Sequence, residues 1–160
     1  MTTETKRQKD VFLESEADAW FDRNHKALAN RDVEVDPLYG AVLDVYPKIQ
    51  SERAAAAILE IGCGEGKRLE LFASKLGATV AGIDPSSKAV AKARSRGVDV
   101  RRGTAEELPW SPATFDIVVF GFCLYLCDPE DLFRIASEAD RVLKPDSWLL
   151  IHDFHANSFT

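Results

Sequence analysis

The stretch that most constrains this chain is residues 57–67, Ala-Ile-Leu-Glu-Ile-Gly-Cys-Gly-Glu-Gly-Lys. Residues 58–61 read as a short buried strand that runs into a glycine turn and then a helix start. Glycines permit positive φ and close approach of backbone to ligand, and a helix start aims free N–H groups at it. Several ligand classes use such a cradle, so the spacing decides. Here it is G-x-G-x-G, whereas the dinucleotide fingerprint is G-x-G-x-x-G. A Walker loop requires Gly at 61 and Ser or Thr at 68, where this chain has Ile61 and Arg68. Glu60 and Glu65 flank the turn, and two carboxylates repel a pyrophosphate while tolerating a cationic ligand.

Beyond residue 51 strands and helices alternate. Expected strands are 58–61, 79–83, 98–101, 115–120 and 148–151; expected helices are 67–76, the segment from 86 to 96, and 130–143. Residues 115–120 are nearly all apolar, as a central parallel strand covered on both faces requires. Repeated β-α units of this kind predict a parallel sheet wrapped by helices, with ligands at the carboxyl ends of the strands where strand order reverses. The glycine turn, Asp84, residues 103–106 and residues 120–122 all fall at such ends. Asp84 lies 22 positions after Gly62, where a carboxylate accepts hydrogen bonds from both ribose hydroxyls. Pro85 and Ser86 next to it also suit a helix cap.

The first 50 residues are read as a separate helical segment. Residues 1–10 are charged and expected to be disordered. A helix over 15–29 carries Trp20, Phe21 and Leu28 on one face, as a cover on the core or as a lid from which Trp20, Arg23 or Asn24 reaches a ligand. Asp36-Pro37 reads as a cap and first helical turn, and Pro47 is expected to end that helix early. The formal charge of −6 without a basic tract argues against nucleic acid or an acidic membrane as partner. Residues 1–10 lack the apolar core of a signal peptide, and no run reaches the roughly 18 apolar residues of a membrane span. Three cysteines, Cys63, Cys123 and Cys127, then fit reduced thiols in a cytoplasm.

Taken in order, Glu60-Ile61-Gly62-Cys63-Gly64-Glu65-Gly66, Gly82-Ile83-Asp84, Gly103-Thr104-Ala105-Glu106-Glu107-Leu108-Pro109 and Phe115-Asp116-Ile117-Val118-Val119 resemble the successive motifs of class I S-adenosylmethionine-dependent methyltransferases. The resemblance implies an α/β, Rossmann-like, mostly parallel sheet with helices on both faces over 51–160. It also implies S-adenosylmethionine as cofactor and a small-molecule acceptor. Glu60, Gly62, Cys63, Gly64 and Gly66 would hold the methionine and ribose part, and Asp84 the ribose hydroxyls. Pro85 or Ser86 would flank the adenine, Thr104, Ala105 and Glu106 would meet its edge, and Phe120, Gly121 and Phe122 would line the floor beside the methyl. One departure stands out: the family usually carries Asp where this chain has Thr104, an uncharged acceptor. Residues 14–24, with the ending Ile151-His152-Asp153-Phe154, are similar to methylases of pseudaminic acid (nonulosonate) biosynthesis, which implies a sugar or nonulosonate intermediate as acceptor.

An oxygen acceptor profits from a general base, for which His25, His152, Asp153 and His155 qualify by type alone. Cys123, Cys127, His152 and His155 have too loose a spacing to assign zinc, so no metal is expected. The family fold continues with a helix and an antiparallel strand pair past the fifth strand; the chain is expected to lack that pair and to be truncated relative to it. A cofactor-binding but inactive module is therefore the alternative to an active enzyme, with a nicotinamide oxidoreductase disfavoured by the turn spacing and Glu60.

Overall fold

The computed structural model describes residues 6–50 and 55–154. The N-terminal segment is a nearly continuous helix: α1 (Gln8–Val11), a π-helical stretch (Phe12–Glu16) and α2 (Ala17–Ala29). It starts earlier than its apolar spacing suggests. Residues 8–10, expected to be disordered, are helical because Gln8 N–H donates to Asp128 Oδ2 (2.8 Å) and Arg7 pairs with Asp131, ties that lie 120 or more positions away in sequence. The rest of the expected disorder, 1–5, lies outside the described residues. α3 (Pro37–Gln50) opens at Asp36, whose Oδ1 accepts from Leu38 N (2.9 Å). Pro47 does not end it. The proline sits on the exposed face, and the buried Val45, Tyr46 and Ile49 hold the helix against the sheet through Gln50.

The remaining elements are β1 (Ala57–Ile61), α4 (Lys67–Leu76), β2 (Thr79–Asp84), α5 (Ser87–Ser95), β3 (Asp99–Arg102), β4 (Phe115–Gly121), α6 (Leu132–Val142) and β5 (Leu143–His152). The five strands form one all-parallel sheet in the order β3-β2-β1-β4-β5. No antiparallel strand occurs among the described residues. The order reverses between β1 and β4, which opens a crevice over their carboxyl ends. β5 begins at Leu143, which the helical spacing had assigned to α6. Lys144-Pro145 stops the helix, and a register shift between Phe115 and Ile117 lets the strand pair before the bulged segment as well as after it.

Period-two alternation divides the sheet into two cores. Ile58, Val100, Ile117 and Val119 pack with α3, α4 and α5 on one face, including Leu69 and Phe72. Leu59, Ile61, Ala81, Ile83, Val118 and Phe120 pack with α6 on the other. β4 is buried along its whole length, as its apolar run requires. Glu60 shares the first face with Ile58, so its carboxylate points toward α3 and α4 with no exposure to solvent. That placement governs the site.

Candidate active site

The glycine turn is fixed by its neighbours across the sheet. Gly62 and Cys63 donate their N–H groups to Ile83 O (2.9 and 3.2 Å), and Gly66 donates to Cys63 O (3.0 Å). Gly62 has φ +72°, and a Cβ there would stand 2.7 Å from Cys123 Cβ. Both facts demand glycine. Asp84, at the end of β2, bridges two loops: Oδ2 accepts from Gly64 N (2.8 Å) and Oδ1 from Ser86 N (2.9 Å). Ser86 Oγ in turn caps α5 by accepting from Ala89 N (3.1 Å). The two readings of Asp84 and Ser86, ligand contact and helix cap, are therefore compatible.

These groups line a cavity of about 500 Å³ over the carboxyl ends of the strands. Of the residues expected around the cofactor, Glu60, Gly62, Cys63, Gly64, Asp84, Pro85, Ser86, Thr104, Ala105, Glu106, Gly121 and Phe122 all contribute to its wall. Gly66 and Phe120 do not. Gly66 (φ +72°) begins α4 and lies against Ala93, where a Cβ would come within 3.1 Å of that residue's methyl. Phe120 points into the α6 core at 2 % exposure, because it follows Val118 on the alternation while Gly121 and Phe122 continue into the crevice. Phe122 has φ +54°, a conformation unusual for a bulky side chain and typical of residues held in place at a site.

The roof is the N-terminal helix. Phe12, Ala17, Trp20, Phe21 and Leu28 face the cavity. Trp20 is thus where a lid residue was expected, but Arg23 and Asn24 are not. Arg23 turns outward to Glu16 (2.5 Å), and Asn24 donates to Trp20 O (2.8 Å). The buried positions of α2 are Ala17 and Phe21, and neither Arg23 nor Asn24 lines the cavity. The helix is fastened to the floor at several points. Asp18 accepts from Ser86 Oγ and Ser87 Oγ (both 2.6 Å) and from Lys88 N (3.1 Å); Lys88 pairs with Asp22; Lys67 Nζ donates to Leu28 O (2.8 Å) and Ala29 O (2.6 Å). The two serine hydroxyls hold the Asp18 carboxyl down to about 2.

Burial drives Asp84 and Glu60 the opposite way. It raises Asp84 to about 6 against the backbone N–H bonds of Ser86 and Gly64, and it raises Glu60 in spite of Arg68. Although burial opposes it, Lys92 (2.5 Å), Arg96 and Lys67 keep Glu65 below its ordinary value. The thiols are pushed up by burial, Cys127 to about 12 and Cys63 and Cys123 upward as well, so they remain protonated and unreactive.

Among the described residues, the general-base candidates His25, His152 and Asp153 do not line the cavity. His25 Nδ1 lies 3.1 Å from Asp22 O, Asp153 accepts from Leu124 N and Phe154 N, and His152 packs on Phe122 with centroids 4.3 Å apart. His155 lies outside the described residues. No group of three or more His, Cys, Asp or Glu able to hold a metal occurs among the described residues. Nor, among them, is any helix long and apolar enough to cross a membrane.

Sequence spacing alone missed Arg68, Asp36 and Arg31. In the sequence Arg68 is only a residue that breaks a phosphate-loop pattern, and Asp36 only a helix cap. Their meeting beneath the glycine turn depends on how α3 and α4 cross the sheet, and no local spacing encodes it.

Fold and site together define a parallel α/β domain with a cavity over the strand ends at its switch point and a carboxylate, Asp84, at the end of β2. Residues 59–151 match the family described as a methyltransferase domain. The chain belongs to that family, the S-adenosylmethionine-dependent methyltransferases. It is 36% identical over 110 residues to a probable S-adenosylmethionine-dependent methyltransferase of Mycolicibacterium smegmatis, covering 67% of this chain and 41% of that one. Among solved structures it resembles a possible histamine N-methyltransferase of Thermotoga maritima (30% identity, TM-score 0.56, 82% and 58% coverage). It also resembles an amino pentose methyltransferase of Micromonospora echinaspora with S-adenosylmethionine bound (25%, TM-score 0.64, 83% and 57%). The chain spans under half the length of the first curated relatives it matches.

Proposed function

We propose that the protein binds S-adenosylmethionine in this cavity and transfers its methyl group to a small-molecule acceptor. The observation that carries the reading is one continuous wall made of the glycine turn, Asp84, residues 104–106 and Gly121–Phe122. The residues suit the cofactor. Asp84 keeps lone pairs for two ribose hydroxyls beyond its two backbone bonds. Two buried carboxylate oxygens in the wall, Glu60 Oε2 and Glu106 Oε2, have no hydrogen-bond partner and await donors. Glu106 compensates for the uncharged Thr104 at the adenine edge.

The cofactor supplies an already activated methyl group on a sulfonium. What the chain adds is placement and dryness. Asp84 and the glycine turn hold the nucleoside, and the roof helix keeps water out. Phe122, Tyr125 and Phe154, packed with centroids 5.2 and 4.9 Å apart, form an apolar wall at the β4 and β5 ends for the acceptor. Thr104, Ala105 and Glu106 sit on a loop that Glu138 and Arg141 of α6 hold through Leu108 N, Leu108 O and Trp110 O (2.7, 2.9 and 2.7 Å).

For the acceptor we propose a sugar or nonulosonate intermediate. The resemblance of residues 14–24 supports this, as does the structural likeness to a methyltransferase whose own substrate is an amino pentose. A role without nucleic acid fits the acidic balance, and three cysteines read as reduced thiols fit residence in a cytoplasm. A second reading, binding without turnover, is favoured by the fact that His25, His152 and Asp153 do not themselves line the cavity. Calorimetry with S-adenosylmethionine, followed by turnover on sugar, amine and phenol acceptors, separates the two. Absence of binding would sink both.

A further inference from the structure

Arg68 is a nearly buried cation that the proposed chemistry does not yet use. Its side chain, 14 % exposed, leaves the first turn of α4 and passes under the glycine turn. Nε donates to Glu60 Oε1 (2.8 Å), Nη2 donates to the same oxygen, and Nη1 donates to Asp36 Oδ2 (2.9 Å). The far side of the guanidinium rests on the β4 end so closely that any Cβ on Gly121 would run into it. Asp36 is itself pinned, by Leu38 N on Oδ1 and by Arg31 Nη2 on Oδ2 (3.2 Å). Every bond from Arg68 to Glu60 goes to one oxygen. The other, Oε2, is buried without a partner in a residue that lines the cavity.

We propose that Arg68 is a positioning residue for the cofactor: it clamps one oxygen of Glu60 from beneath and so presents the second, charged, to the ammonium of the methionine end. The proposal rests on the reading of the cavity as an S-adenosylmethionine site. The charged groups facing Glu60 are Arg68 from α4, Asp36 from the start of α3 and Asp84 from the end of β2. Two of the three are anions, which favour a proton on Glu60. Arg68 alone opposes them and the burial. A planar fork that binds two carboxylates at once is a task for arginine, since an ammonium reaches them only as a point charge.

The test compares two probes that share the nucleoside and differ at the amino-acid end. S-adenosylhomocysteine carries the ammonium; methylthioadenosine lacks it. Calorimetry on the wild-type chain at neutral pH first tests the site itself: if neither probe binds, the cofactor reading falls. Given binding, Arg68→Met should weaken S-adenosylhomocysteine about tenfold, as the loss of a charge-assisted contact would. Methylthioadenosine should change less than about twofold, the limit set by the same scale. In the variant the homocysteine affinity should also climb with pH above neutrality as Glu60 regains its charge, and the Glu60 carboxyl carbon in NMR should titrate at higher pH than in the wild type. Arg68→Lys should fall between the two. Equal loss of both probes, or a Glu60 titration that does not move, overturns the proposal and leaves Arg68 a structural ion pair. Should Arg68→Met not fold, Arg68→Lys decides by the same ratio of the two probes, and Arg68→Met with Glu60→Gln should restore folding.

Discussion

The floor and the roof of the cavity are built from different materials. The floor is backbone: Gly62, Cys63 and Gly64 are held by hydrogen bonds to Ile83 O and Asp84, at the end of β2 inside the sheet. The roof is held by side chains. Its buried residues within α2 are Ala17 and Phe21, and its fastenings include exposed pairs such as Lys88 with Asp22. Exposed pairs are screened by solvent and contribute little, whereas buried backbone bonds at strand ends share the stability of the whole sheet. The contrast predicts a rigid floor that defines the ligand and a detachable roof that sets how fast it comes and goes.

The hardest blow to the floor is Gly62→Val. A β-branched residue at φ +72° costs about 1–2 kcal/mol, and the clash with Cys123 adds about 1–3 kcal/mol. Together these lower the melting temperature by roughly 10 °C in a domain of this size and abolish cofactor binding. If the variant melts like the wild type and still binds, the floor is softer than its hydrogen bonds suggest. Asp84→Ala separates the ligand from the fold. Cofactor affinity should drop about 100-fold, as loss of charge-assisted bonds to two hydroxyls implies. Stability should change little, because relief of a buried carboxylate offsets the unpaired Gly64 and Ser86 N–H groups. Titration calorimetry beside a thermal melt reads both.

The same carboxylate gives the floor a pH signature. In the folded protein Asp84 titrates near 6, above its ordinary 3.8. Without ligand the native state therefore holds this proton more tightly than the unfolded chain, so its contribution to stability falls as pH rises from about 4 to 6 and is level above. Asp18 and Glu138, each held at about 2, act in another window: their stabilisation is complete above about pH 4 and is lost below it. A ribose grip by Asp84, as proposed, uses the ionised form, so on that reading affinity should weaken about tenfold at pH 5 relative to pH 7. With saturating cofactor the slope of stability between pH 4 and 6 should reverse. A cofactor affinity independent of pH over this range would show that Asp84 does not grip the ribose.

Floor and roof also differ in how much of them the sequence discloses. The floor's parts are local: G-x-G-x-G, an acid at the end of the next strand and the apolar run of β4 each declare an element and its place in the sheet. Twelve of the fourteen residues expected around the cofactor line the cavity for that reason. Phe120 and Gly66 miss it because alternation and helix packing claim them for the core. The roof depends on distant partners. Trp20 was legible from helical spacing, but nothing near Asp18 announces Ser86, and nothing near Arg68 announces Asp36. The helix at Gln8 and the continuation of α3 through Pro47 have the same origin, since tertiary contact overrides weak local propensity.

The smallest expected effect tests the roof. Asp18 joins α2 to the start of α5 by three hydrogen bonds, yet Ser86 already caps that helix through Ala89 N. Asp18→Ala therefore removes a tie between roof and floor without removing the cap. Its cost to global stability should stay under about 1 kcal/mol, as for a partly exposed network. The kinetics should respond more than the equilibrium. If roof opening limits exchange, dissociation of S-adenosylmethionine should quicken by a few-fold, the change expected from about 1 kcal/mol on the closed state alone. Amide exchange within residues 8–29 should accelerate while that of β1 and β4 stays unchanged. Stopped-flow release and exchange mass spectrometry read the two. Faster exchange in the strands as well would mean that roof and floor form one cooperative unit, and the division between them would not stand.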